Sequence, residues 1–186
     1  MILPRFRRNP DQATIASLYG AIVAQARAPA FYGTYGVPDT ALGRFDMVVL
    51  HAVLVVRRLR GSDAQQALGQ GVFDAFCRDM DDNLREMGVS DVGVPRTMRR
   101  LAEAFYGRAR AYEAALAAAG ERALVAALTR NVYADGAPPV AAAALAAYVR
   151  AAARMLADAD DATLARGEAR FPEPAGVVAC AVRAAE

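Results

Sequence analysis

Two amphipathic stretches joined by a short connection constrain this chain more than any other feature. In FDAFCRDMDDNLREM, the residues Phe73, Phe76, Cys77, Met80, Leu84 and Met87 recur at steps of three and four, which places them on one face of a helix. Gly88 follows and predicts a left-handed C-terminal cap, where a residue without Cβ carries no penalty. Met98, Leu101, Phe105, Ala109, Tyr112 and Leu116 repeat the pattern, and Pro95 stands in the first turn, where its missing N–H is harmless. Asp79, Asp82, Arg85 and Glu86 occupy the other side of the first helix, and Arg96, Arg99, Arg100, Glu103 and Arg110 that of the second. So short a connection between two such helices predicts a helical hairpin, with apolar stripes turned to a third element and charged faces to water or a partner.

The flanking segments supply that third element. Residues 11–29 read as a helix that Asp11 can cap, with Ile15, Leu18, Ile22 and Val23 as its stripe. A connection rich in glycine and aromatics follows (31–38), whose rings are expected to tuck onto the core rather than form a recognition surface. Residues 39–60 are the most apolar. Val48, Val49, Val53, Val55 and Val56 lend this run β-strand character, but its length, lack of a breaker and helical flanks predict an enclosed central helix. Gly61-Ser62-Asp63 ends it and can cap a helix over 64–87, in which Gly69 and Gly71 could admit a close neighbour. An alanine-rich half follows, with helical pattern to 119, over 121–130 and over 139–156, a turn cluster at 131–136, and a short helical turn from Asp158. The expected fold is all-α: a single-domain bundle of about six to seven helices with a long central hairpin, preceded by a basic arm (1–10), extending over 11–166 and followed by an extended tail (167–186).

Composition then removes functions. At 186 residues the chain is long enough for one substantial core. Much of its 55% hydrophobic content is alanine, and the densest apolar run, Met47 to Val56, is about half of the ~20 residues a spanning helix needs. The N-terminus lacks the apolar stretch of a secretory signal, so a soluble chain is expected. The net charge of +2 is too small for general nucleic-acid binding, and no DNA partner is expected. Arg5, Arg7 and Arg8 could touch acidic lipid or RNA, but three charges make a weak patch and a solvated terminus is expected. All 22 basic residues are Arg, which excludes a Walker-type lysine, a Schiff-base lysine and a lysine general base. Cys77 and Cys180 form no CxxC pattern, and Cys77 on an apolar face reads as a small buried hydrophobe in a reducing, cytoplasmic setting.

Catalytic patterns are missing. His51 is the single histidine, so HExxH and two-histidine metal sites cannot be built, and Val48 occupies the position where a di-iron Glu-x-x-His would need glutamate. A lone histidine in an apolar helix reads as a hydrogen-bonded core residue before it reads as a haem ligand. Gly69-x-Gly71 lacks the third glycine and the preceding strand of a dinucleotide motif. Asp79, Asp81, Asp82 and Glu86 point in different directions from one helix, and Arg78 and Arg85 interleave with them, so surface ion pairing is expected over a cation site. Neither a metal nor a cofactor is called for. What remains is a binding surface on the second hairpin helix, where Arg96, Arg99, Arg100 and Arg110 surround Tyr106, residue types that anchor protein partners; an ordinary solvated face is the plain alternative.

The segments FDMVVLHAVLVVRRLRG (45–61) and FDAFCRDMDDNLREMGVSDVGVPRTMRRLAEAFYGRARAYEAAL (73–116), together with the YGTYGVPDT connection, resemble the ubiquinol–cytochrome c chaperone family. This group comprises assembly factors of the respiratory bc1 complex in mitochondria and alphaproteobacteria, and the likeness covers roughly 11–156. It implies a non-enzymatic chaperone that holds newly made cytochrome b, with no catalytic residue to carry over. Position in the matching string and expected exposure together nominate Asp79, Asp82, Arg85, Glu86, Asp91, Arg96, Arg99, Glu103, Tyr106 and Arg110 as the client face. A ribosome, a small partner subunit and peripheral contact with the cytoplasmic face of the inner membrane stand as further options. The alternative class is a helical carrier of a small hydrophobic ligand, haem or quinone, held around His51.

Overall fold

The computed structural model describes residues 11–134, 136 and 139–176, and all regular structure among them is helical. Helix α1 (Gln12–Ala26) opens at Asp11, whose carboxylate accepts from the Ala13 amide at 3.0 Å. It stops short of 29 because Pro29 disfavours helical geometry in Ala28 before it. The following connection, expected to be irregular, contains α2 (Pro29–Gly33), which brings the helix count among the described residues to eight. Proline at its first position hid this turn in the sequence, since a five-residue helix shows no periodicity. Phe31 and Tyr35 are fully buried, so the aromatics here belong to the core.

Helix α3 (Ala41–Arg58) is the axis of the bundle. Its cap is Thr40, whose hydroxyl accepts from the Gly43 amide at 3.1 Å. Every residue from Asp46 to Val55 is buried, because α1, α4, α5, α6 and α7 all pack on it. Its last turn does further work. Arg58 donates to the Leu156 and Ala159 carbonyls and pairs with Asp161, tying down the end of α7 (Pro139–Asp158) and the start of α8 (Asp161–Ala165).

The hairpin is α4 (Asp63–Glu86) and α5 (Val94–Ala117). Ser62 and Gln65 form a reciprocal capping box at its start. Gly88 ends α4 at φ +79°, with the Val89 amide on the Leu84 carbonyl and the Gly88 amide on that of Arg85. Phe76 and Leu84 are buried, but Met87, which fits the same stripe by spacing, is 68% exposed because it is already the capping residue. The glycines of α4 do admit neighbours: a Cβ on Gly71 would lie 2.4 Å from Ile15 Cδ1, and one on Gly69 would lie 3.3 Å from Leu59 Cβ.

Helices α6 (Arg122–Val132) and α7 close the bundle. The stretch Val140–Asp158 is long and apolar enough to cross a membrane by length and composition alone. In this fold its Leu145, Tyr148, Val149, Ala152 and Leu156 are core.

After α8 the chain doubles back over α1. Ser17 donates to the Gly167 carbonyl at 3.0 Å, Gln25 to Pro172 at 3.1 Å and Tyr35 to Pro174 at 2.8 Å. The first part of the expected tail is therefore a strap held on the helical body. The basic arm with Arg5, Arg7 and Arg8, the end of the tail and Cys180 lie outside the described residues.

Candidate functional site

An aromatic row links the core to the hairpin surface. Phe45 meets Phe76 with ring centroids 6.0 Å apart, Phe76 meets Phe105 at 5.3 Å, and Phe105 meets Phe73 at 4.9 Å. Phe73 in turn supports Tyr106 at 5.3 Å. Tyr106 ends the row 52% exposed, at the edge of a groove between α3, α4 and α5. The interior half of this row fixes the helices; the outer half presents a ring to solvent.

The ten nominated residues differ in their surroundings. Asp79 is turned toward α1, where its Oδ2 accepts from the Tyr19 hydroxyl at 2.7 Å. Burial, first, and the Asp79 carboxylate both push the Tyr19 phenol up, so this bond stays a donated O–H. Arg85 is held between Asp81 at 2.7 Å and Asp91 at 2.5 Å, which raises its guanidinium pKa further and pins the turn to α4. These pairs match the expected surface ion pairing of the acidic stretch. Asp82, Glu86, Arg96, Arg99, Glu103 and Arg110 are exposed and make no hydrogen bond or ion pair with the described residues. Two apolar side chains stand at the tip beside them, Met87 and Val92, the latter 90% exposed. Unpaired charge and bare apolar surface thus coincide on the turn and the outer side of α5.

The nomination omits the most buried ion pair among the described residues. Asp46 on α3 is 3% exposed and accepts from Arg108 on α5 at 2.7 Å, while the same guanidinium lies over the Phe45 ring. Burial pushes the Asp46 carboxyl up to about 6, against the pull of Arg108. A signal existed in the sequence: one acid inside an otherwise apolar run, and an arginine three residues after Phe105 on the apolar side of α5. The pair clamps the hairpin to the central helix.

His51 is fully buried between helices. Its Nδ1 donates to the Met47 carbonyl at 2.8 Å, and its Nε2 accepts from the Tyr148 hydroxyl at 2.9 Å. That hydroxyl accepts from Gln25 at 2.9 Å, which completes a satisfied chain around a neutral imidazole. Desolvation carries its pKa down to about 4. Both ring nitrogens are committed, so no lone pair is free for iron, and His51 is the core residue its setting implied. Among the described residues no group of His, Cys, Asp and Glu side chains could hold a metal ion.

With this geometry in hand, a model of the ubiquinol–cytochrome c chaperone family matches residues 34–171, which include α3 and the whole hairpin. The chain belongs to that family. The crystal structure of the Cbp3 homolog from Brucella abortus superposes with a TM-score of 0.83 at 43% sequence identity, covering 94% of this chain and 98% of that one. No curated protein matches the chain.

Proposed function

We propose that this chaperone holds newly made cytochrome b during assembly of the ubiquinol–cytochrome c reductase complex, and that the outer face of α4 and α5 is where the client sits. One observation carries the reading: the hairpin and its turn combine unpaired exposed charges (Asp82, Glu86, Arg96, Arg99, Glu103, Arg110) with three of the six large apolar side chains exposed among the described residues (Met87, Val92, Tyr106). A membrane protein awaiting its partners offers apolar helices with charged ends, which an apolar ledge rimmed by charge complements. Asp79, Arg85 and Asp91 then act by fixing the hairpin and its turn. The protein acts by binding and not by catalysis, and it works at the cytoplasmic face of the membrane that receives cytochrome b.

The test is a set of photo-crosslinking residues placed one at a time at Arg99, Tyr106 and Arg110, with Arg122 on α6 as a control outside the hairpin, in cells making cytochrome b. Capture of cytochrome b from the hairpin but not from Arg122 is expected. Capture from Arg122 alone moves the client to another face, and capture from no position overturns the reading. A reduced-minus-oxidised spectrum of membranes from a deletion strain should show selective loss of the bc1 b-haem signal with cytochrome c retained.

A further inference from the structure

Helix α5 contains a glycine that the fold does not use. Gly107 lies within the helix and is exposed, and a Cβ added to it would meet nothing within 4 Å among the described residues. Glycine in a helix interior is disfavoured relative to alanine, and here neither a turn nor a close intramolecular neighbour accounts for it. The glycines of α4 differ in this respect, since Gly69 and Gly71 lie under Leu59 and Ile15. Gly20 on α1 is equally exposed and unobstructed, so such a glycine marks no site by itself; what sets Gly107 apart is the arginine stripe on its own helix.

The surroundings of Gly107 state what a chain docked there must look like. Arg96, Arg100, Glu103, Gly107, Arg110 and Ala114 follow at helical spacing on the outward side of α5. All of them are exposed, and the arginines among them have no partner among the described residues. Tyr106 flanks this stripe and opens onto the groove formed with Val56, Leu59, Gln70, Phe73 and Phe105, whose volume is about 150 Å³. Arg60 and Gln66 rim the groove, and its apolar floor of Leu59, Phe73 and Phe105 leaves room for one bulky apolar side chain.

We infer that α5 docks an acidic amphipathic helix of its partner, crossing at Gly107, with one large apolar side chain in the Tyr106 groove and carboxylates paired to Arg96, Arg100 and Arg110. This rests on the hairpin being the client face and adds the chemistry of the segment bound there. The excess of arginine over acid along the stripe selects against a basic segment, and the absent Cβ lets the helix backbones approach.

The experiment uses the full chain in its native host, with a photo-crosslinking residue at Ala114 and sequencing of the captured peptide. An acidic, helical peptide bearing a bulky apolar residue supports the inference; a basic or uncharged peptide, or none, overturns it. Two substitutions separate docking from folding. Gly107→Ala should raise Tm by about 2–4 °C, because it replaces a helix-interior glycine of the free protein with a better helix former, and yet lower the crosslink yield. Gly107→Leu should also raise Tm, since leucine too is a far better helix former than glycine, and reduce the yield at least tenfold. Unchanged yield in Gly107→Leu overturns the inference. The outcomes for the two readings are distinct: cytochrome b captured from Arg99 but nothing at Ala114 refutes the docked helix and keeps the client reading, whereas an acidic peptide from another protein does the reverse.

Discussion

His51 offers a sharp test of the interior. Its pKa lies near 4 in the folded protein, whereas an unfolded chain holds histidine near ~6.5. As pH falls, the unfolded chain therefore takes up a proton before the native one does. The stability due to the neutral, buried ring is fully present above the unfolded value and is lost as pH drops from about 6.5 toward 4. Some two and a half pKa units correspond to about 3 kcal/mol, a large share of the ~5–15 kcal/mol that holds a domain together. Urea unfolding from pH 7 to pH 4 measures it when wild type is compared with His51→Gln, which keeps a polar group but does not titrate. The wild type should lose about 3 kcal/mol more than the variant across that window. Since His51 is the single histidine, its imidazole NMR signal can be followed directly in the folded protein. A folded-state midpoint near 6.5, or parallel stability profiles, would refute the sealed hydrogen-bonded chain from Gln25 through Tyr148 and His51 to Met47. Such a result would also reopen a ligand role for the ring.

Two further outcomes follow from the packing. Gly71→Ala puts a methyl 2.4 Å from Ile15 Cδ1 and should destabilise by about 1 kcal/mol, because displacing Ile15 outweighs the gain in helix propensity; Gly20→Ala on α1 meets nothing within 4 Å and should stabilise, so thermal melts of the pair must move in opposite directions. Arg108→Met should cost about 3 kcal/mol at pH 7 by stranding the Asp46 carboxylate, and less at pH 5. Asp46 already has its pKa raised to about 6, so below that pH the protonated acid no longer needs the guanidinium; equal losses at both pH values would place Asp46 outside the clamp.

Much of this protein is written in local sequence. Asp11, Ser62 and Gly88 mark helix ends through bonds spanning a few residues, and the stripes of α4 and α5 follow from a repeat of three and four. The resemblance across 73–116 identified the family before any coordinate. Those signals are legible because a helix satisfies its backbone within itself, so caps and periodicity carry the information. What the sequence left open depends on residues far apart in it. Tyr19 reaches Asp79 across 60 positions, Arg108 reaches Asp46 across 62 and Tyr35 reaches Pro174 across 139. No periodicity reports such pairs, because they form only once helices have packed and water has been excluded. The same holds for the nominated face: position in the matching string and expected exposure nominated the ten residues, but only tertiary packing decided that Asp79 ties down α1 and Arg85 the turn, while Arg96, Arg99 and Arg110 have no partner among the described residues. Exposure is a property of the neighbours a residue acquires, and those come from the whole chain.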